Sequence, residues 1–170
     1  LATPGPDGNI DGFAPYVANA PGTPLNQWEE LNNSARWSAF FLSRDGTPQA
    51  SNRARCPNTA ALLDSLPLLD VPGRGPAAFF SLLRPHTHIP PHTGVTNIRT
   101  IVHLPLIVPP GCGFRVGGTS RPWIIGEAFA FDDTIEHEAW NDSDELRAVL
   151  IIDVWNPCLT IEERALCRAL

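Results

Sequence analysis

Residues 127–154 read EAFAFDDTIEHEAWNDSDELRAVLIIDV. Three short apolar runs, Glu127–Phe131, Ile135–Trp140 and Leu146–Val154, are cut by two turn-forming pairs, Asp132-Asp133 and Asn141-Asp142. The runs have strand length, and Asp and Asn favour turns because their side chains hydrogen-bond the nearby backbone. Strand, tight turn, strand, tight turn, strand points to antiparallel pairing, since parallel neighbours need crossovers of about a dozen residues or more.

Upstream the punctuation repeats. Ala77–Leu83, Ile98–Val108 and Gly113–Val116 are further apolar runs, bounded by Pro90-Pro91, Pro109-Pro110-Gly111 and Gly117-Gly118. Many short strands so separated indicate an antiparallel sandwich or barrel rather than alternating strands and helices. Trp37–Ser43 reads as another strand, leading into the turn Arg44-Asp45-Gly46. Asn58 or Thr59 is expected to cap a short helix through Leu66, which Pro67 stops. Thr160 and Glu163 form a capping box that opens a last helix over residues 160–170. Residues 1–25, rich in Pro and Gly and without periodicity, read as surface coil. No repeat or linker divides the chain, and 170 residues suit one domain.

Composition narrows the function. The net charge of −6 argues against a nucleic-acid partner, which selects clustered basic residues. No stretch approaches the roughly 20 apolar residues that span a bilayer. All twelve basic residues are Arg and none is Lys, and Ala, Pro and Gly are abundant, a skew expected of a GC-rich, bacterial genome. Cys56, Cys112, Cys158 and Cys167 lack close spacing and read as reduced thiols of a cytoplasmic protein. The chain opens on Leu1 and contains no Met, so it reads as a fragment or processed form, with a removed N-terminal segment left open.

All five histidines, His86, His88, His92, His103 and His137, lie in one third of the chain. Neutral imidazole is the commonest metal ligand, so such clustering raises a metal site, although each alone also reads as a core or surface histidine. His92 sits in Pro91-His92-Thr93-Gly94, where a rigid loop enters a strand; His137 sits on the short strand after Asp132-Asp133. Hairpin-connected strands of a jelly roll would bring the two to one barrel mouth. Arg147 opens the last long strand, expected to run back beside that of His137 and to place a cation deep in the barrel. A guanidinium there suits a carboxylate in a dry pocket, which its planar fork binds through two hydrogen bonds. The usual non-haem iron signature is His-x-Asp/Glu with a distant His, and Gly94 has no carboxylate to give.

Those residues, with their neighbours, resemble the aspartyl/asparaginyl β-hydroxylase family. The resemblance rests on Phe80-Ser81-Leu82-Leu83-Arg84-Pro85, Pro91-His92-Thr93-Gly94-Val95-Thr96-Asn97, His103-Leu104, Phe131-Asp132-Asp133, Glu136-His137-Glu138-Ala139-Trp140 and Asp153-Val154-Trp155-Asn156-Pro157. It implies a mainly β fold, a double-stranded β-helix (cupin-like jelly roll) with a few flanking helices and its core over residues 77–157. It further implies a dioxygenase dependent on Fe(II) and 2-oxoglutarate that binds iron through two histidines only, with Gly where the acid is expected. By motif, His92 and His137 become the iron ligands, Ser81 and Arg147 hold the distal carboxylate of 2-oxoglutarate, and His103 meets its proximal carboxylate. Arg99 matches an arginine that faces an acidic substrate group. The expected partners are therefore O₂ and a small-molecule or peptide substrate with an anionic group, the best guess being hydroxylation at Cβ of an aspartyl or asparaginyl unit. The chain departs from the animal members at Ile101, where they carry a second arginine.

Two other classes compete: a cupin-like module holding a structural metal, and a non-redox metal-dependent isomerase or hydrolase. Neither needs a cation such as Arg147 beside the metal. Lesser signals read as structure. His86 and His88 could join His92 in a zinc site but lack a fourth ligand. Asp132 and Asp133 read as turn residues, Asn141-Asp142-Ser143-Asp144 as a solvated turn without the features of a calcium loop, and Gly111-Cys112-Gly113 as no phosphate loop.

Overall fold

The computed structural model describes residues 10–169. In chain order they form β1 (Ala14–Pro15), a 3₁₀ turn (Asn26–Trp28), β2 (Trp37–Arg44), β3 (Thr47–Pro48), α1 (Ala50–Arg55), α2 (Pro57–Asp64), β4 (Ala78–Leu83), β5 (Thr87–His92), β6 (Arg99–Ile107), β7 (Cys112–Val116), β8 (Thr119–Arg121), β9 (Phe129–Phe131), β10 (His137–Asn141), β11 (Arg147–Trp155) and α3 (Ile161–Ala169). The strands make two antiparallel sheets. The larger runs β1-β2-β4-β11-β6-β9, with β3 pairing β2, and the smaller runs β5-β10-β7-β8. This is a double-stranded β-helix, mainly β with short flanking helices.

The absence of alternation in β11 has a packing cause. It pairs with β4 on one side and β6 on the other, so it lies inside the larger sheet, which is covered on both faces. The inner face sets Trp37 and Leu83 against Ile89, Phe114 and Ala139 of the smaller sheet. The outer face, with Phe40, Leu42, Leu150 and Ile152, packs on Leu63 of α2. Full burial of Leu63 is worth about 1.5–3 kcal/mol and ties that helix to the sheet.

Several expectations need correction. The core begins well before residue 77, because β2 pairs β4 along nearly its whole length. Ala14–Pro15, read as coil, pairs with β2, while residues 1–9 of that expected coil lie outside the described residues. Pro90-Pro91 lies within β5 rather than in a turn; β5 is the edge of its sheet, where a missing N–H need not cost a ladder bond. Helix α1 was not anticipated, and α2 starts at Pro57, with Cys56 rather than Asn58 or Thr59 at the cap, because Pro suits a first helical position. Asn141 is no solvated turn residue. It is fully buried, and its Nδ2 donates to the carbonyls of Leu83 (3.0 Å), Arg84 (3.1 Å) and Glu145 (2.8 Å), lashing the two sheets together. Finally, β11 does not run beside β10 but crosses to the facing sheet, so Arg147 approaches the interior from the opposite wall.

Other local signals are where they were expected. Asp45 and Gly46 take φ of +50° and +78°, the pairing that a two-residue hairpin turn requires. Thr160 and Glu163 exchange the reciprocal bonds of a capping box at 2.8 and 3.2 Å. No helix among the described residues is long and apolar enough to cross a membrane.

Candidate active site

Pairing of β5 with β10 sets His92 directly opposite His137, with ring centroids 4.1 Å apart. The strands meet through the winding of the fold, not through a hairpin. Each Nδ1 contacts the carbonyl oxygen two residues earlier, His92 that of Pro90 at 2.8 Å and His137 that of Ile135 at 2.9 Å. A carbonyl oxygen only accepts, so Nδ1 carries the proton and donates, leaving the lone pair on Nε2. Metal-bound imidazoles are held in this way. Burial lowers the pKa of His92, favouring the neutral coordinating form. Trp28 packs edge-on against the same ring at 5.1 Å.

Gly94 lies against a carboxylate from elsewhere in the chain. A Cβ added to Gly94 would collide with the carboxylate of Asp133, whose backbone oxygen accepts from Gly94 N at 2.6 Å. The two residues of the Asp132-Asp133 turn therefore divide their work. Asp132 Oδ1 accepts from Thr134 N and Oγ1 at 2.9 and 2.7 Å and makes the turn. Asp133 points inward, nearly buried, with Oδ1 lacking a partner.

Arg99 lines the same cavity, of about 640 Å³, but is not free. Its Nη2 donates to Asp133 Oδ2 at 2.8 Å and its Nη1 to Asp153 Oδ2 at 3.1 Å, while Nε is buried without a partner. No sequence signal marked either carboxylate for this ion-pair network. Tyr16 and Trp28, from the segment before β2, wall the cavity as well.

At the closed end lie Ser81, His103 and Arg147, all buried. Ser81 stands opposite Val149 on the adjoining strand, so Ser81 and Arg147 share the inner face. Ser81 Oγ accepts from Trp37 Nε1 at 3.1 Å and keeps its own proton to donate. Arg147 is 2% exposed, and among the described residues its Nε and Nη2 have no partner. The acids that might have neutralised it are engaged elsewhere: Glu136 and Glu138 with Arg115, Asp153 with Arg99. Burial pulls its pKa down to about 10, leaving it charged near neutrality. Burial, and then the nearby Arg147 charge, hold His103 well below the usual imidazole range; it is neutral, with Nδ1 unpartnered. Ile101 is buried on the same wall and brings no second cation.

His86 and His88 take no part. His86 Nε2 meets Asp144 at 2.9 Å and His88 Nε2 meets Glu138 at 2.7 Å, both on exposed ground away from His92. Among the described residues no group of three or more His, Cys, Asp or Glu side chains is arranged to hold a metal ion. His92 and His137 stand as a pair.

The description of the aspartyl/asparaginyl beta-hydroxylase family matches residues 16–157. The mouse aspartyl/asparaginyl beta-hydroxylase is 38% identical over 146 residues, which make up 85% of this chain and 20% of that protein. The ornithine lipid ester-linked acyl 2-hydroxylase of Rhizobium tropici is 38% identical over 130 residues, 75% of this chain and 44% of that one. Human aspartate beta-hydroxylase domain-containing protein 2 is 37% identical over 145 residues, 82% and 39% respectively. The chain thus spans from a fifth to less than half of these relatives' lengths.

Proposed function

Because the chain belongs to the aspartyl/asparaginyl β-hydroxylase family, we propose that it is an Fe(II)- and 2-oxoglutarate-dependent dioxygenase that hydroxylates an unactivated carbon. The observation that carries this reading is Arg147: a buried guanidinium that among the described residues meets no carboxylate and keeps two nitrogens unpaired, in the cavity that holds the paired imidazoles. A structural metal module or a non-redox hydrolase has no use for it, and an unpaired buried charge is costly to keep.

The residues present fit iron and 2-oxoglutarate. His92 and His137 would hold the iron through Nε2, and Asp133 lines the same cavity. Arg147 and the Ser81 hydroxyl would bind the distal carboxylate of 2-oxoglutarate, and neutral His103 its proximal end. When bound, the iron and cosubstrate supply the oxidation: 2-oxoglutarate, O₂ and a C–H bond become succinate, CO₂ and C–OH. The chain's part is to bind, orient and exclude water, which the aromatic wall of His103, Phe114 and Phe131 serves.

The two relatives' names share one chemical feature. The Cβ of an aspartyl unit and carbon 2 of an ester-linked acyl chain are both methylene carbons adjacent to a carboxyl-derived carbonyl. The substrate proposed here is of that class, with an aspartyl or asparaginyl unit or a related amino acid leading. Arg99 meets its anionic group only with the N–H donors that Asp133 and Asp153 leave unused, that of Nε among them.

Succinate release tests the proposal. It should require Fe(II), O₂ and 2-oxoglutarate together, and rise with compounds bearing such a methylene. A metal-dependent hydrolysis or isomerisation that proceeds without consuming 2-oxoglutarate would replace the oxygenase by its rival.

A further inference from the structure

We propose that Trp123 is a positioning residue for the cosubstrate anion: its indole face holds Arg147 charged while leaving the guanidinium fork open. The proposal rests on the assignment of Arg147 to 2-oxoglutarate and adds a residue that none of the sequence motifs contains. Trp123 lies on the connection between β8 and β9, whose Gly126 N donates to Pro105 O at 2.9 Å and so pins the loop to β6. Phe114 and Phe129 pack against the ring at 5.3 and 5.4 Å.

The guanidinium carbon of Arg147 lies 5.6 Å from the Trp123 ring centre. A cation over an aromatic face is attracted by the ring quadrupole, more strongly where water is excluded, and Trp offers the best face. The direction of that attraction matters. A carboxylate stabilises arginine in the plane of its N–H groups and occupies the fork, as Asp133 and Asp153 do to Arg99 in the same cavity. A ring face holds a cation without offering an in-plane acceptor, so the N–H groups are left for a ligand. That is the state of Arg147, whose Nε and Nη2 are unpaired. The same indole lies nearly parallel to His103, at 10° and 5.6 Å.

The indole N–H strengthens the case. Trp123 Nε1 is buried without a partner, and a buried unpaired donor costs stability. Were only bulk required, Phe would fill the position at lower cost. What Trp adds there is the stronger face for a cation.

Three variants test this: Trp123→Phe, Trp123→Leu, and Trp123→Leu in an Arg147→Met background. Each is followed by thermal unfolding without metal, Fe(II) affinity, and anaerobic titration with 2-oxoglutarate. Trp123→Phe should leave unfolding temperature equal or higher and iron affinity unchanged, yet weaken 2-oxoglutarate binding about five-fold, on the scale of a desolvated cation–π contact. Trp123→Leu should weaken it by about 30-fold. In the Arg147→Met background it should have no further effect, since the two residues act through one contact. A folded Trp123→Phe protein that binds 2-oxoglutarate like the parent overturns the proposal, as does full additivity with Arg147→Met. An unaltered protein that takes Fe(II) but no 2-oxoglutarate overturns the oxygenase reading itself, a result distinct from either.

Discussion

Replacing either His92 or His137 by Ala should abolish succinate release and strip the protein of iron at concentrations that saturate the parent. The two rings face each other across a single strand pair, each fixed by a carbonyl so that Nε2 is presented. Removing a group that merely orients a metal ligand costs roughly 10–100-fold in affinity. Removing one of two protein ligands should exceed the upper end of that range, because no third protein ligand remains to share the loss. The fold should survive, since the bonds each imidazole makes to the protein are local. His86→Ala and His88→Ala, which remove exposed imidazoles paired with Asp144 and Glu138, should change neither quantity. Iron content and succinate release, measured together, decide it; normal iron loading in His137→Ala would remove that residue from the site.

The second large effect belongs to Arg147, and its two parts run in opposite directions. Arg147→Ala should raise the apparent KM for 2-oxoglutarate roughly 30-fold or more. The underlying loss is about 2–5 kcal/mol, the scale of a truncated charge-assisted contact in a dry site. Arg147→Lys should recover only part, because an ammonium is a point charge and cannot reproduce the planar fork. Without cosubstrate, however, Arg147 is a buried cation with two unpaired N–H groups, and replacement by an apolar residue of similar volume should relieve that cost. Arg147→Met should therefore unfold at the parent's temperature or above it while binding 2-oxoglutarate roughly 30-fold more weakly. Loss of stability together with unchanged cosubstrate affinity would make Arg147 a structural residue instead.

The runs around residues 127–154 disclosed the antiparallel fold because strand length and turn chemistry are local, and Asp and Asn mark the turns wherever they fall. What escaped notice depends on contacts between distant parts of the chain. Pro90-Pro91 looks like a turn until β5 is known to be an edge strand, where prolines are tolerated. Asp133 looks like a second copy of Asp132. Only the approach of Gly94, 39 residues earlier in the chain, shows that its carboxylate takes the space of a missing side chain. Arg99 was marked by motif, but its two carboxylate partners lie in a turn and on another strand, 34 and 54 residues away, and nothing local foretells the pairing. Trp123 sits in an aperiodic stretch, Pro122-Trp123-Ile124-Ile125-Gly126, where an aromatic residue reads as ordinary packing. His92 and His137 could be singled out for the opposite reason: their spacing and neighbours are carried in the order of the chain itself.

The chelate that defines an Fe(II)/2-oxoglutarate oxygenase can be observed without knowing its substrate. Fe(II) and 2-oxoglutarate added together in the absence of O₂ should produce the weak visible metal-to-ligand charge-transfer band that arises only when the oxo acid binds iron through two oxygens. Neither component alone should produce it, and His92→Ala should abolish it even at saturating iron. Fe(II) binding at His92 and His137 with no such band at any concentration of 2-oxoglutarate would contradict the oxygenase assignment and leave a metal site of another kind.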